Sequence, residues 1–135
     1  IISMHAPYNK ATHHMINKSN IRMIKKGALL INTARGGLVE TDALVEALDK
    51  RILSGAGLDV LEEEQLIKEE SELLSKNYPI ETLKTVIQNH TLLKRENVII
   101  TPHNAFNSIE ALQRILDTTI ENIKGFMKGK IISKI

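Results

Sequence analysis

The chain of 135 residues contains no cysteine and no tryptophan, and only 3% of it is aromatic. Without cysteine there is no disulfide, no thiolate nucleophile and no thiolate metal site. So few rings leave almost no platform on which nucleic-acid bases could stack. An excess of one charge is missing too. Eighteen Lys and Arg face sixteen Asp and Glu, a formal charge of +2 with both signs interspersed, so no basic face for a polyanion emerges. No apolar run approaches the ~20 residues that span a bilayer, and the start lacks a charged segment followed by a signal-type apolar stretch. The sequence therefore predicts a soluble protein with no nucleic-acid or membrane partner, and a reducing, cytoplasmic setting fits. "IISMHAP" opens in the middle of a strand-like pattern with Ile1 instead of Met, so the chain reads as a piece of something longer.

Four short apolar segments stand out: Ile1 to Met4, Ala28 to Thr33, Gly55 to Leu61 and Asn97 to Thr101. None alternates strictly, and continuous apolar runs suit parallel strands covered on both faces. Helical patterns lie between them, which predicts an α/β fold with a parallel sheet. Ser19 is placed to cap "NIRMIKK", with Gly27 as a left-handed stop. Thr41 is placed to cap "DALVEALDK", where Ala43, Leu44, Ala47 and Leu48 make one apolar stripe. From Ser108, the residues Ile109, Leu112, Ile115, Leu116, Ile123, Phe126 and Met127 recur at the helical period and predict a long amphipathic helix to about Lys128. Glu62 to Arg95 is too long for an ordinary strand connection. It reads as an insertion with one helix inside "IETLKTVIQNHTLLKR".

"NVIITPHNAF" poses the functional question, because a buried strand would not finish on Thr101-Pro102-His103. Pro102 cannot donate to a ladder, so His103 leaves the sheet at its carboxyl edge. Each strand candidate ends on such groups: His5 and Pro7, then Asn32 to Arg35 with Gly36-Gly37, then Asp59 and Glu64, then His103. Parallel strands point their carboxyl ends one way, so these groups converge on a crevice of the kind in which open α/β sheets bind ligands. Arg35 offers a planar fork for a carboxylate, and the glycines after it let a ligand approach the backbone. An ion pair at a helix start is the plainer role for Arg35, and a backbone-bonded turn histidine the plainer role for His103. Glu62 and Glu63 read as a solvated face, with Glu64 alone turned inward. Asp59, at the end of an apolar strand, requires a donor. His5, His13 and His14 show no metal-ligand spacing, and metal binding is not expected. The dinucleotide fingerprint G-x-G-x-x-G is absent, since Gly55-Ala56-Gly57 precedes a strand instead of linking a strand to a helix.

Taken together, "HAPYNKATHHMIN", "KKGALLINTARGGLVETDAL", "GAGLDVLEEE" and "NVIITPHNAF" resemble the NAD-dependent D-isomer-specific 2-hydroxyacid dehydrogenases over nearly the whole chain. The resemblance implies the second half of a doubly wound, Rossmann-like parallel sheet with a long C-terminal helix. Residues 1–104 would be the carboxyl-terminal half of the dinucleotide-binding domain, and 105–135 a helix and tail returning to the substrate domain. It implies NAD as cofactor, a small 2-hydroxy or 2-oxo acid as substrate, and a homodimer at full length. It also implies that the 135 residues alone are inactive. By motif, Arg35 grips the substrate carboxylate, and Glu64 pairs with His103, the proton donor and acceptor. Asp59 lies near the nicotinamide carboxamide. Ala6, Pro7, Thr12, Thr33 and Ala34 line the cofactor together with Arg35. The long stretch before "TPH", the lack of Glu-Pro after "DV", and Phe106 resemble the D-lactate dehydrogenase branch. Leu61 stands where that family usually has an aromatic, Asn104 replaces an apolar residue or Thr, and Asn107-Ser108 replaces an aromatic and Thr. A corepressor that binds NAD without reacting resembles the same family, and a truncated product without activity is the third reading.

Overall fold

The computed structural model describes residues 1–68 and 77–130. Positions 69–76 of the expected insertion and the tail 131–135 lie outside the described residues. Four strands form one parallel sheet in sequential order: β1 (Ile2–Met4), β2 (Ala28–Asn32), β3 (Leu53–Leu58) and β4 (Val98–Ile100). Among the described helices, α1 spans Thr41–Asp49, α2 Glu64–Lys68, α3 Ile80–Leu93 and α4 Ile109–Met127. The chain divides into two compact units, Ile1–His103 and Asn104–Ile135.

Register explains where the core sits. Leu30 lies opposite Ile2 and Ala56, and Asn32 opposite Met4 and Leu58, so these residues share one face of the sheet. That face is buried. Ala43, Leu44, Ala47 and Leu48 of α1 close over it as the expected stripe, joined by Leu38, Val39 and Ile21. On the other face Ile31 meets Ser3, Gly57 and, one strand further, Ile99. Leu29 and Ile99 remain exposed there. Cover on both faces, expected from the continuous apolar runs, is therefore not reached within the described residues. The runs carry the apolar side chains for a second layer, whereas α1 lies against the first face.

Two helix caps differ from expectation because each hydroxyl has a side-chain partner other than the helix start, local for Ser19 and distant for Thr41. In place of a helix over "NIRMIKK" there is a single 3₁₀ turn, Ile21–Met23. Asn17 Oδ1 accepts from both the N–H and the hydroxyl of Ser19 (2.9 and 2.6 Å), and Asn20 Oδ1 accepts from the N–H of Asn17 (2.9 Å). Ser19 is thus engaged outside the turn. Gly27 does stop the segment in the left-handed region, at φ +84°. Thr41 is the first residue of α1 and not its cap, because its N–H and hydroxyl both donate to the distant carboxylate of Glu62 (2.8 and 2.7 Å). The long helix α4 starts where the apolar period places it, and Ser108 caps it: its Oγ accepts from the N–H of Ala111 at 3.2 Å.

Asp42, in the first turn of α1, ties three segments together. It accepts from Lys18 at 2.5 Å, and from Lys84 and Gln88 of α3. These donors hold its carboxyl well below the usual carboxylate range, Lys18 first and Lys84 next. A carboxyl lowered in the folded state stabilises the fold above its unfolded value, near 3.8, and loses that contribution as pH falls further. Unfolding midpoints measured from about pH 6 down to about pH 2 should therefore decline in the acid limb, and Asp42→Asn should flatten that decline. An unchanged acid limb in the variant would remove Asp42 from this role.

Candidate active site

Every strand runs the same way, so the chain leaves each of them at one edge, and buried polar groups then fix the exit turns. Asn32, 1% exposed at the end of β2, donates from Nδ2 to the carbonyl of Arg35 (2.9 Å). Its Oδ1 accepts from the N–H of Ala34 (3.1 Å). One side chain thereby holds the turn at both Ala34 and Arg35. Arg35 itself is extended and exposed. Its guanidinium donates to the carbonyl of Ala34 at 2.7 Å, and no carboxylate among the described residues pairs with it. The plainer role, an ion pair at a helix start, is not what the structure shows.

At the exit of β3, Asp59 is 4% exposed, and its N–H donates to the carbonyl of Asn32 at 2.9 Å. The Asp59 carboxylate accepts from the hydroxyl of Thr101 at the end of β4. This is the donor that a buried carboxylate requires. Two residues beyond Thr101, His103 takes a left-handed conformation, φ +54°. Its Nδ1 lies 2.7 Å from Glu64 Oε1, and the N–H of Leu61 donates to the other Glu64 oxygen at 3.4 Å.

The His103–Glu64 pair stands where two clefts meet, and Leu61 lines both. The first, about 300 Å³, also contains Arg35, Gly36, Tyr8 and His13. The second, about 250 Å³, also contains Asp59, Thr101, Ile100 and Leu93. Arg35, Asp59, Glu64 and His103 are thus brought together. Ala6, Pro7, Thr12, Thr33 and Ala34 line neither cleft. Ala6 and Ala34 pack against the core, and the Thr12 hydroxyl donates to the carbonyl of Pro7 at 2.6 Å inside its own turn.

Three features depart from the sequence reading. Glu62 is not on a solvated face, since its side chain is 16% exposed and its Oε1 lies 2.6 Å from His14 Nε2. His14 is accordingly no free turn histidine. It stacks on His13 with ring centroids 3.8 Å apart, and His13 Nδ1 lies 2.9 Å from the Tyr8 hydroxyl. The closeness that Gly36 permits is used by the chain itself, because a Cβ there would come within 2.1 Å of the Leu61 carbonyl carbon and oxygen. The partners of Glu62 lie 21, 27 and 48 residues away, and no local spacing announces them. Among the described residues no group of three His, Asp or Glu could hold a metal ion, and no helix is long and apolar enough to cross a membrane.

A parallel sheet with its polar groups gathered at the carboxyl edge is the architecture of dinucleotide-binding α/β domains. Residues 1–105 match the family described as D-isomer specific 2-hydroxyacid dehydrogenase, NAD binding domain, and the chain belongs to that family. A glyoxylate reductase of Thermofilum pendens is 40% identical over 131 residues, which are 97% of this chain and 33% of that protein. The structure of D-lactate dehydrogenase from Aquifex aeolicus, complexed with NAD and lactic acid, superposes with a TM-score of 0.80. It is 42% identical and covers 95% of this chain and 37% of that one. The NAD-complexed D-isomer specific 2-hydroxyacid dehydrogenase of Lactobacillus delbrueckii ssp. bulgaricus gives a TM-score of 0.73 at 34% identity, over 95% of this chain and 37% of that one. The chain spans about a third of the length of the relatives it matches.

The packing at Gly36 yields a test. Gly36→Ala forces a methyl into the Leu61–Glu62 backbone, which cannot give way as a flexible side chain would. Overpacking of this kind costs about 1–3 kcal/mol. Thermal unfolding should show a lowered midpoint, and a midpoint equal to that of the parent would mean the two turns are not held this tightly.

Proposed function

We propose that the chain supplies the nicotinamide-side half of the cofactor site and the acid–base groups of an NAD-dependent D-2-hydroxyacid dehydrogenase that interconverts pyruvate and D-lactate. The observation that carries this reading is the 2.7 Å contact between His103 Nδ1 and Glu64 Oε1. A carboxylate accepts a proton donor, so it keeps a hydrogen on Nδ1 and leaves the Nε2 side of the ring to exchange a proton with substrate. The clefts on either side suit two different ligands. Arg35 can grip a carboxylate at two points in one cleft. In the other, the Asp59 carboxylate and the apolar walls of Leu93 and Ile100 suit an amide-bearing aromatic ring, which is the shape of nicotinamide.

When bound, NADH supplies the hydride for the 2-oxo carbon. Arg35 holds the substrate carboxylate and so fixes which face of the carbonyl is presented. His103 gives a proton to the carbonyl oxygen as it becomes a hydroxyl, and takes one back in the reverse direction. Glu64 keeps the ring oriented through both directions, and the Asp59–Thr101 pair holds the floor of the neighbouring cleft. The D-lactate dehydrogenase branch is supported by the likeness to D-lactate dehydrogenases and by the absence of Glu-Pro after "DV". Leu61, in place of the family's usual aromatic, lies on the wall of both clefts, so the departure falls where side-chain size would be sensed.

The test is a chimera in which these residues replace the matching segment of the Aquifex aeolicus enzyme. It should reduce pyruvate with NADH and show falling kcat/KM along a series of 2-oxo acids of rising side-chain size. His103→Gln in the chimera should lose kcat on the order of 10²–10⁴-fold while still binding NADH. Arg35→Lys should lower kcat/KM for pyruvate by about 1.5–3 kcal/mol with NADH affinity little changed. Normal turnover of the His103→Gln variant would refute the assignment. The 135 residues alone, without G-x-G-x-x-G, should bind NADH weakly and not turn over. Micromolar NADH affinity in a fluorescence titration of the chain by itself would overturn that expectation.

A further inference from the structure

Glu62 is given no contact with NADH or substrate in the reading above, yet it connects several of the active-site turns. Its Oε2 accepts from the N–H and the hydroxyl of Thr41, at 2.8 and 2.7 Å, at the start of α1. Its Oε1 lies 2.6 Å from His14 Nε2, on the segment that follows β1. Its backbone carbonyl accepts from Asn89 Nδ2 of α3 at 2.7 Å. The backbone of Leu61 and Glu62 fills the space that a Cβ at Gly36, next to Arg35, would occupy. One residue thus ties the exits of β1, β2 and β3 and the helix α3 to one another.

The fold bears costs to keep this arrangement. His14 and Glu63 both sit in the left-handed region, at φ +50° and +51°, which is unfavourable for residues with a Cβ. Asn89 is fully buried and donates to the Glu62 carbonyl, while its buried Oδ1 has no hydrogen-bond partner among the described residues. A buried polar atom in that condition costs on the order of 1–3 kcal/mol. The carboxylate also lies at the amino end of α1, where the helix dipole favours a negative charge.

We propose that Glu62 is a positioning residue for the acid–base pair. By anchoring the segment Leu61–Glu63 to Thr41, His14 and Asn89, it fixes the start of α2, and that sets Glu64 within hydrogen-bond distance of His103 Nδ1. Glu64 cannot secure this alone. Among the described residues its other oxygen accepts only the long 3.4 Å bond from the Leu61 N–H, and His103 stands on a left-handed turn at a strand end. The inference rests on the acid–base role given to His103 and Glu64.

The experiment reads the tautomer of His103 directly, by ¹⁵N correlation of the histidine side chains in the full chain. Spectra are taken at alkaline pH, where a free imidazole is neutral. In the parent protein the His103 Nδ1 and Nε2 shifts should be widely separated, with the hydrogen on Nδ1. Glu64→Gln serves as the reference for a lost pair. Glu62→Ala should likewise collapse the separation toward the tautomer mixture of a free imidazole. Glu62→Gln should restore most of it, because an amide can accept from Thr41 and donate to His14. Thr41→Val, which removes one of the hydrogen bonds, should give a partial collapse and covers the case in which Glu62→Ala does not fold. If Glu64→Gln changes the His103 shifts while folded Glu62→Ala and Thr41→Val leave them as in the parent, Glu62 is merely structural and the inference is overturned. If Glu64→Gln itself leaves them unchanged, the His103–Glu64 pair is absent in solution and the functional reading falls with it.

Discussion

Four strands that all run the same way deliver four chain exits to one edge of one sheet, and everything functional in this molecule depends on that direction. Polar groups more than sixty residues apart in sequence, Arg35 and His103, come to line a common cleft because the strands preceding them are parallel. An antiparallel arrangement of the same segments would send alternate exits to opposite edges. The central row of the sheet also settles which side chains face the core. Leu30 and Asn32 share a face with Ala56 and Leu58, so the last residue of β2 on that face is a buried amide, positioned to clamp the turn that carries Arg35. Sheet register and site geometry are therefore one problem. A shift of one residue in β2 would turn Asn32 away from the core face and free the Arg35 turn.

The strands and the two long helices were legible because apolar period and turn residues are local signals. Ala43, Leu44, Ala47 and Leu48 announced the buried stripe of α1, and the apolar period from Ser108 announced α4. Arg35, Asp59, Glu64 and His103 were legible as polar residues at strand ends, and their family motifs gave them roles. What was not legible is the set of side chains that hold those groups. Glu62 looked like one acid in a charged run, since Thr41, Asn89 and His14 lie far from it in sequence. The missed Ser19 cap has a local explanation, because Asn17 and Asn20 compete for the same short-range hydrogen bonds as a helix start. The expected second cover on the sheet went astray differently. Apolar runs state that both faces can be buried, not which elements of this chain bury them.

Left-handed backbone marks the site as clearly as side-chain chemistry does. Of the four non-glycine residues with positive φ among the described residues, His14, Glu63 and His103 all belong to the turns joined around Glu62 and Glu64. Such conformations persist where surrounding contacts over-determine them. Here those contacts are His14 with Glu62, Glu62 with Thr41, and His103 with Glu64. A histidine can end a strand in this way because Pro102 stops the ladder, and the His103 N–H turns back to the Thr101 carbonyl at 2.9 Å. The ring is then directed by its carboxylate partner and not by the sheet.

Burial sets the exposed Arg35 and the half-exposed His103–Glu64 pair apart from the neutral residues beneath them. Asn32, Thr41 and Asn89 are all less than 5% exposed, whereas the side chains of His103 and Glu64 are 36% and 26% exposed and Arg35 is open to solvent. Physical cost accounts for the division. A neutral amide or hydroxyl can be buried once its hydrogen bonds are made, but an unpaired charge taken out of water costs far more. Leaving Arg35 exposed avoids that penalty. The neutral residues beneath can be packed rigidly, so the charged ones are held in register while still hydrated. In the proposed function, closure of a ligand over the edge strengthens the Arg35 and His103 interactions by removing water, without first having to organise the turns that carry them.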